Sequence, residues 1–157
     1  MTNALSDLDS KRLESLYREE GSRLWRALLA FSGNPEVASD AISEAFAQAI
    51  ASRTEIEFPR AWIWTVAFRL ARAELKTHPK VAPIATSVSD DNTHKIDLLK
   101  AMGALSPKER ASLLLHYYAD YPVKDVAHII GSSSGAVRVH LNRGRRKLRT
   151  LLGGDYA

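Results

Sequence analysis

The run from Tyr121 to Leu152, YPVKDVAHIIGSSSGAVRVHLNRGRRKLRTLL, constrains the fold more than any other part of the chain. Val123, Val126, Ala127 and Ile130 recur at helical spacing and give a first helix one apolar stripe. Gly131 follows the last periodic residue, where a helix often closes in the left-handed conformation that glycine adopts at least cost. The serines at 132 to 134 offer an N-cap for a second helix. Val137, Leu141, Gly144, Leu148 and Leu151 form its inner stripe. Its other faces carry Arg138, Arg143, Arg145, Arg146, Lys147 and Arg149, and no acid occurs from Ser132 to Gly154. Two short helices, a glycine turn and a one-sided basic face form the helix-turn-helix pattern. A solvated face on a packing helix would explain the charge run alone. It would not explain the turn, or the small Ala127 where the helices should cross. In the groove-bound reading, the early residues of the second helix meet base edges and the later arginines meet phosphates.

The N-terminal half reads as three helices. Asp9 or Ser10 is a candidate cap for the first, whose apolar face is Leu13, Leu16, Tyr17, Leu24, Leu28 and Phe31. Gly33 breaks it, Asn34 caps the second helix and Pro35 takes the tolerated first position. That helix should bury Val37, Ala41, Ile42, Ala45, Phe46 and Ile50. Asp40, Glu44 and Gln48 fall on its opposite side, as a plain solvated edge or as a docking stripe for a basic partner. After the loop Ser52 to Phe58 comes PRAWIWTVAFRLARAELK. Trp62, Ile63, Val66 and Leu70 should form its main apolar face, and Trp64, Phe68 and Leu75 a second edge. Thr65, Arg69, Arg72 and Lys76 line up between them. Cations beside aromatics suit single-stranded nucleic acid, although tryptophans at helical spacing are more often core.

From Thr77 to Lys95 the composition turns to proline, serine, threonine and aspartate without periodicity, the pattern of a flexible linker. Ile96, Leu99 and Met102 begin a fourth helix. Ser106, Pro107 and Glu109 then supply N-cap, N1 and N3 of a capping box for a fifth, which Leu113, Leu114 and Tyr117 continue. The expected fold is all-α: two small helical domains, 1–76 and 96–157, joined by the linker 77–95, with the helix-turn-helix in the second.

With 157 residues the chain has room for one ordinary domain or two small ones, and its net charge of +4 suits a polyanionic partner. The absence of cysteine removes disulfides and thiolate chemistry. His78, His94, His116, His128 and His140 form no short metal-ligand pair, and no nucleophile elbow or phosphate-binding glycine loop occurs. The chain is therefore read as no enzyme, with no metal and no cofactor. No run approaches the roughly 18 apolar residues of a membrane span, and the N-terminus lacks an apolar signal core. A cytoplasmic protein without membrane insertion is expected.

The run LSPKERASLLLHYYADYPVKDVAHIIGSSSGAVRVHLNRGRRKLRTLL resembles region 4 of bacterial RNA polymerase sigma factors of the extracytoplasmic function (ECF) subfamily. DAISEAF, followed by FPRAWIWTVAFRLARAELK, resembles region 2 of the same subfamily. The resemblance implies partners: core RNA polymerase, met at the clamp helices of its largest subunit and at its flap, promoter DNA, and an anti-sigma factor. It implies that Asp40 and Glu44 dock on the polymerase. It implies that Trp62 begins the promoter-melting helix, with Thr65, Arg69, Arg72 and Lys76 along the minus-ten surface. The loop Ser52 to Phe58 matches the one that helps capture an unstacked minus-ten base. Arg138, Val139, His140, Asn142, Arg143 and Arg146 fall on the surface that meets the minus-thirty-five element. The chain departs from the family pattern at Phe68, where a basic residue is usual, at Arg69, where asparagine is usual, and at Ala73, where aspartate is usual. Two other readings share these residues: a sigma-like decoy that titrates an anti-sigma protein, and a helix-turn-helix regulator unconnected with polymerase.

Overall fold

The computed structural model describes residues 3–52, 55–77 and 93–153. Among them the chain forms α1 (Asn3–Ser32), α2 (Pro35–Ala51), α3 (Pro59–Thr77), α4 (Thr93–Gly103), α5 (Pro107–Leu113), α6 (Val123–Ile130) and α7 (Ser134–Leu151), with a π-helical turn at Leu114–Tyr118. No strand occurs among the described residues. Most of the linker expected at 77–95 lies outside them, and α4 already begins at Thr93.

In the N-terminal half α1, α2 and α3 pack on one another. Leu13, Leu24, Leu28 and Phe31 face the core from α1. Neither Asp9 nor Ser10 caps this helix, which runs through both. No glycine or proline interrupts that stretch, and Asp9 instead pairs with Arg12 one turn on. Tyr17, expected on the core face, is exposed and meets the edge of Phe46. In α2, Asn34 caps as expected, its side chain accepting from the Glu36 amide at 2.9 Å behind Pro35. The buried stripe is Ala38, Ala41, Ile42, Ala45, Phe46 and Ala49, while Ile50 is 67% exposed. Ala41, Ile42, Ala45 and Phe46 are buried as expected, while Ala38 and Ala49 take the places expected of the half-buried Val37 and the exposed Ile50.

The register of α3 is rotated. Ile63, Trp64, Ala67, Phe68 and Ala71 are buried, and Trp62, Val66 and Leu70 are only partly so. Trp64 and Phe68, read as a secondary edge, are the deepest side chains of this helix, stacked with ring centroids 6.0 Å apart. Phe68 also meets Phe31 at 5.4 Å. This accounts for the departure at position 68: an arginine there would place an unpaired charge in the core.

The C-terminal half follows its local signals closely. The Ser106 hydroxyl accepts from the Glu109 amide, and the Glu109 carboxylate accepts from the Ser106 amide. Gly131 ends α6 at φ 66°, and the Ser132 amide donates back to Ala127 O at 2.8 Å in a Schellman closure. Ser133 caps α7, accepting from the Ala136 amide. Ala127 is buried where the helices meet, and Val137, Leu141 and Gly144 form the buried stripe of α7. Leu148 is half-buried and Leu151 exposed, so the inward face fades near the helix end.

The two halves share one hydrophobic core. Trp64 of α3 meets Tyr121 edge-on at 6.2 Å, and the Arg60 guanidinium lies over both rings. Arg60 also donates to Ala119 O at 3.1 Å and pairs with Glu20. Arg23 of α1 reaches Tyr118 O and pairs with Asp120, a residue held at φ 63°. In the opposite direction Arg110 of α5 donates to Phe31 O at 2.8 Å. Burial pushes the Arg110 guanidinium down from its ordinary value and the Tyr121 phenol up.

Candidate nucleic-acid interface

The outward face of α7 is set by what turns inward. Val137, Leu141 and Gly144 are buried against α5 and α6, so Arg138, Val139, Asn142, Arg143 and Arg146 stand exposed. His140 is half-buried, and its imidazole is held below its ordinary value by burial and by Lys108, against the pull of Glu109. It is therefore chiefly neutral at pH 7. Arg145 donates to Asn142 Oδ1 at 2.5 Å and to the hydroxyl of Tyr117. Behind this face, Lys147 donates to the buried Glu109 carboxylate at 2.8 Å. Burial alone would raise that carboxyl, but the hydrogen bonds from Lys147 and the Ser106 amide outweigh it and leave the group below the usual carboxylate range.

The second set, on α3, sits differently from expectation. Thr65 spends its hydroxyl on Ala61 O at 2.7 Å, and Trp62 is half-buried. Arg69 donates to His128 O at 3.1 Å and reaches Ile129 O at 3.4 Å, and Arg72 donates to Ile130 O at 2.6 Å. These are the last carbonyls of α6, at the negative end of the helix, where His128 O also accepts from the Gly131 amide at 3.3 Å. Burial, with Arg69 beside it, lowers the Arg72 guanidinium from its ordinary value. Lys76, in the last turn of α3, is exposed. The stripe from 65 to 76 is thus continuous in sequence but divided in space, with its two arginines turned onto the helix-turn-helix.

Asp40 and Glu44 form an exposed acidic edge on α2, where Glu44 accepts from Gln48 at 3.1 Å. Phe58, at the end of the 52–58 loop, is 69% exposed, and residues 53 and 54 lie outside the described residues. Among the described residues no group of histidines and carboxylates is arranged to hold a metal. No helix is long and apolar enough to cross a membrane among them either. Sequence reasoning missed Arg23, Arg60, Arg110 and Tyr117. Each acts through a contact far away in sequence, which local periodicity does not encode.

Residues 95–148 match the family model described as Sigma-70, region 4. Beyond that segment, the sigma factor CarQ of Myxococcus xanthus is 28% identical over 156 residues, covering 89% of this chain and 88% of that protein. The ECF sigma factor SigL of Mycobacterium tuberculosis is 25% identical with the same coverage. Together these similarities support an ECF sigma factor. The sigma factor RpoE of Bartonella quintana, solved in complex with the anti-sigma factor NepR, has the same fold, with a TM-score of 0.69 at 19% identity over 90% of this chain and 99% of that one. The region 4 match runs from α4 into α7, and α6–α7 form its helix-turn-helix. The relatives span both halves, so the match takes in α1 to α3 as well as region 4.

Proposed function

We propose that this sigma factor binds core RNA polymerase, brings it to promoters by reading two DNA elements and helps open the duplex, with no covalent chemistry of its own. One observation carries the reading of the C-terminal element: the exposed face of α7 holds Arg138, Val139, Asn142 and Arg143 together while its apolar residues are consumed in packing. Arginine pairs bidentately with guanine, asparagine with adenine, and an apolar side chain suits a thymine methyl. His140 stands at the edge of this set, and Arg146 further along meets phosphate. Trp62, Thr65, Arg69, Arg72 and Lys76 serve the minus-ten element once the two arginines leave the α6 carbonyls. Asp40 and Glu44 supply the acidic edge that docks on the polymerase clamp helices, and region 4 meets the flap. An anti-sigma factor is a further partner, and the cytoplasm the site of action.

Run-off transcription with core polymerase on genomic promoters tests this reading. The chain should direct initiation at defined start sites, and core alone should not. Reversing Asp40 and Glu44 to lysine should weaken core binding with helicity intact, because attraction is lost and repulsion added. Unchanged core affinity at low and moderate salt would reject the docking assignment.

A further inference from the structure

Asn142 stands on the outer face of α7, one turn beyond Arg138, and its amide is not free to turn over. Arg145 donates from Nη2 to Asn142 Oδ1 at 2.5 Å. Through Nη1 the same guanidinium donates to the Tyr117 hydroxyl, and its centre lies 5.9 Å from the centroid of that ring. Tyr117 belongs to the π-helical turn. Its ring is set edge-on against His116 at 4.8 Å, and His116 Nδ1 lies 2.8 Å from Tyr121 O. Among the described residues no carboxylate pairs with Arg145, so neutral acceptors alone orient it.

An asparagine amide has two chemically opposite ends, one accepting and one donating, which are nearly equal in shape. A guanidinium can only donate, so the end that faces Arg145 must be the oxygen. The NH2 group is then left for the groove. We infer that Tyr117 and Arg145 are positioning residues for base reading: they fix the amide of Asn142 so that it offers its NH2 to a purine N7, and Tyr117 sets specificity without touching DNA. The inference rests on the sigma factor reading given above. The π-helical turn supplies the means, since its extra residue shifts the phase of the following side chains by about 100° relative to an α-helix.

The test uses holoenzyme assembled from core polymerase and the full chain, bound to promoters carrying each base in turn along the minus-thirty-five element. Tyr117→Phe keeps the ring and every charge and removes one hydroxyl. It should reduce purine preference at a single base pair on the order of fivefold, with the other positions and the salt dependence unchanged. Asn142→Ala should flatten the same position, and the double variant should add nothing there, the mark of two residues acting through one contact. In the free chain, the Asn142 side-chain NH2 resonances should move in Tyr117→Phe while the melting curve does not. Additive effects of the two substitutions, an equal loss at every base, or no loss at all would overturn the inference while leaving the sigma factor reading intact. Wild-type holoenzyme with no promoter preference would overturn both.

Discussion

A Cβ placed on Gly144 would lie 2.8 Å from Leu113 Cδ1 and 3.3 Å from Leu113 Cγ, whereas one on Gly135 would meet nothing within 4 Å. Both glycines lie in α7, so the helix preference for alanine over glycine favours substitution at each. Only the surroundings differ. Gly135→Ala should stabilise the fold by roughly 0.5 kcal/mol, less than a mid-helix exchange because it sits in the first turn. Gly144→Ala must displace the buried Leu113 and should cost about 1 kcal/mol net, overpacking exceeding propensity. Thermal melts of the two variants check this, and equal shifts would show that α5 and α7 are not in close contact. The exposed arginines of α7 separate in the same way. Arg138→Ala should cost about 1–3 kcal/mol on the preferred minus-thirty-five sequence and flatten discrimination at one base pair. Arg146→Ala should weaken all sequences alike and lower the salt slope by about one if it neutralises one phosphate. Binding of single-base promoter variants at several salt concentrations separates the two roles. An equal loss for every variant with Arg138→Ala would make that residue a phosphate contact.

The start of α5 depends on Glu109, which closes the capping box and receives Lys147 from α7. Its folded-state carboxyl titrates below the usual range, so the charged form contributes stability at neutral pH. That contribution is lost as pH falls through the folded-state value. Glu109→Gln should therefore lower the melting temperature at pH 7 and much less under acid conditions. Parallel melts across that range measure it, and a difference independent of pH would mean the charge is immaterial. Elements such as this one were legible because their signals are local: Ser106-Pro107-Lys108-Glu109, Asn34-Pro35 and Gly131 before the serines each announce a boundary within a few residues. Faces were harder to read. On α2, Ala38 and Ala49 took the places expected of Val37 and Ile50, and on α3 Trp64 with Phe68 displaced Trp62 from the core, since several apolar residues compete on each helix and only the neighbour decides. The π-helical turn has no sequence signature comparable to a cap. The outward placement of Arg138, Asn142 and Arg143 followed from the apolar residues of α7. The fate of Arg69 and Arg72 did not, because their partners are backbone carbonyls on another element.

Across the whole chain, the seam between the halves is built largely from arginines on carbonyls and rings: Arg23, Arg60, Arg69, Arg72 and Arg110. It also buries Trp64 Nε1, Tyr121 Oη and Glu20 Oε2 without a hydrogen-bond partner. Parting the halves would return these groups to water, which offsets part of the apolar burial lost. Replacing Arg23 and Arg60 by alanine should let the halves separate while each keeps its helices. The chain has no cysteine, so dyes can be placed at Ser15→Cys and Thr150→Cys, both on exposed positions. Energy transfer between them should fall in the double-alanine background with helicity unchanged. Undiminished transfer would show that the seam does not depend on these two side chains. The grip of Arg69 and Arg72 on the end of α6 also bears on a binding equilibrium. On the proposed minus-ten role of these two arginines, DNA engages them only in the fraction of molecules whose halves have parted, so apparent affinity is the intrinsic affinity multiplied by that fraction. With one molecule in ten open, binding is weakened about tenfold, and anything that holds the halves apart recovers the loss without touching DNA. Core polymerase, engaging both halves at once, would then act on promoter recognition as a ligand that selects the open population.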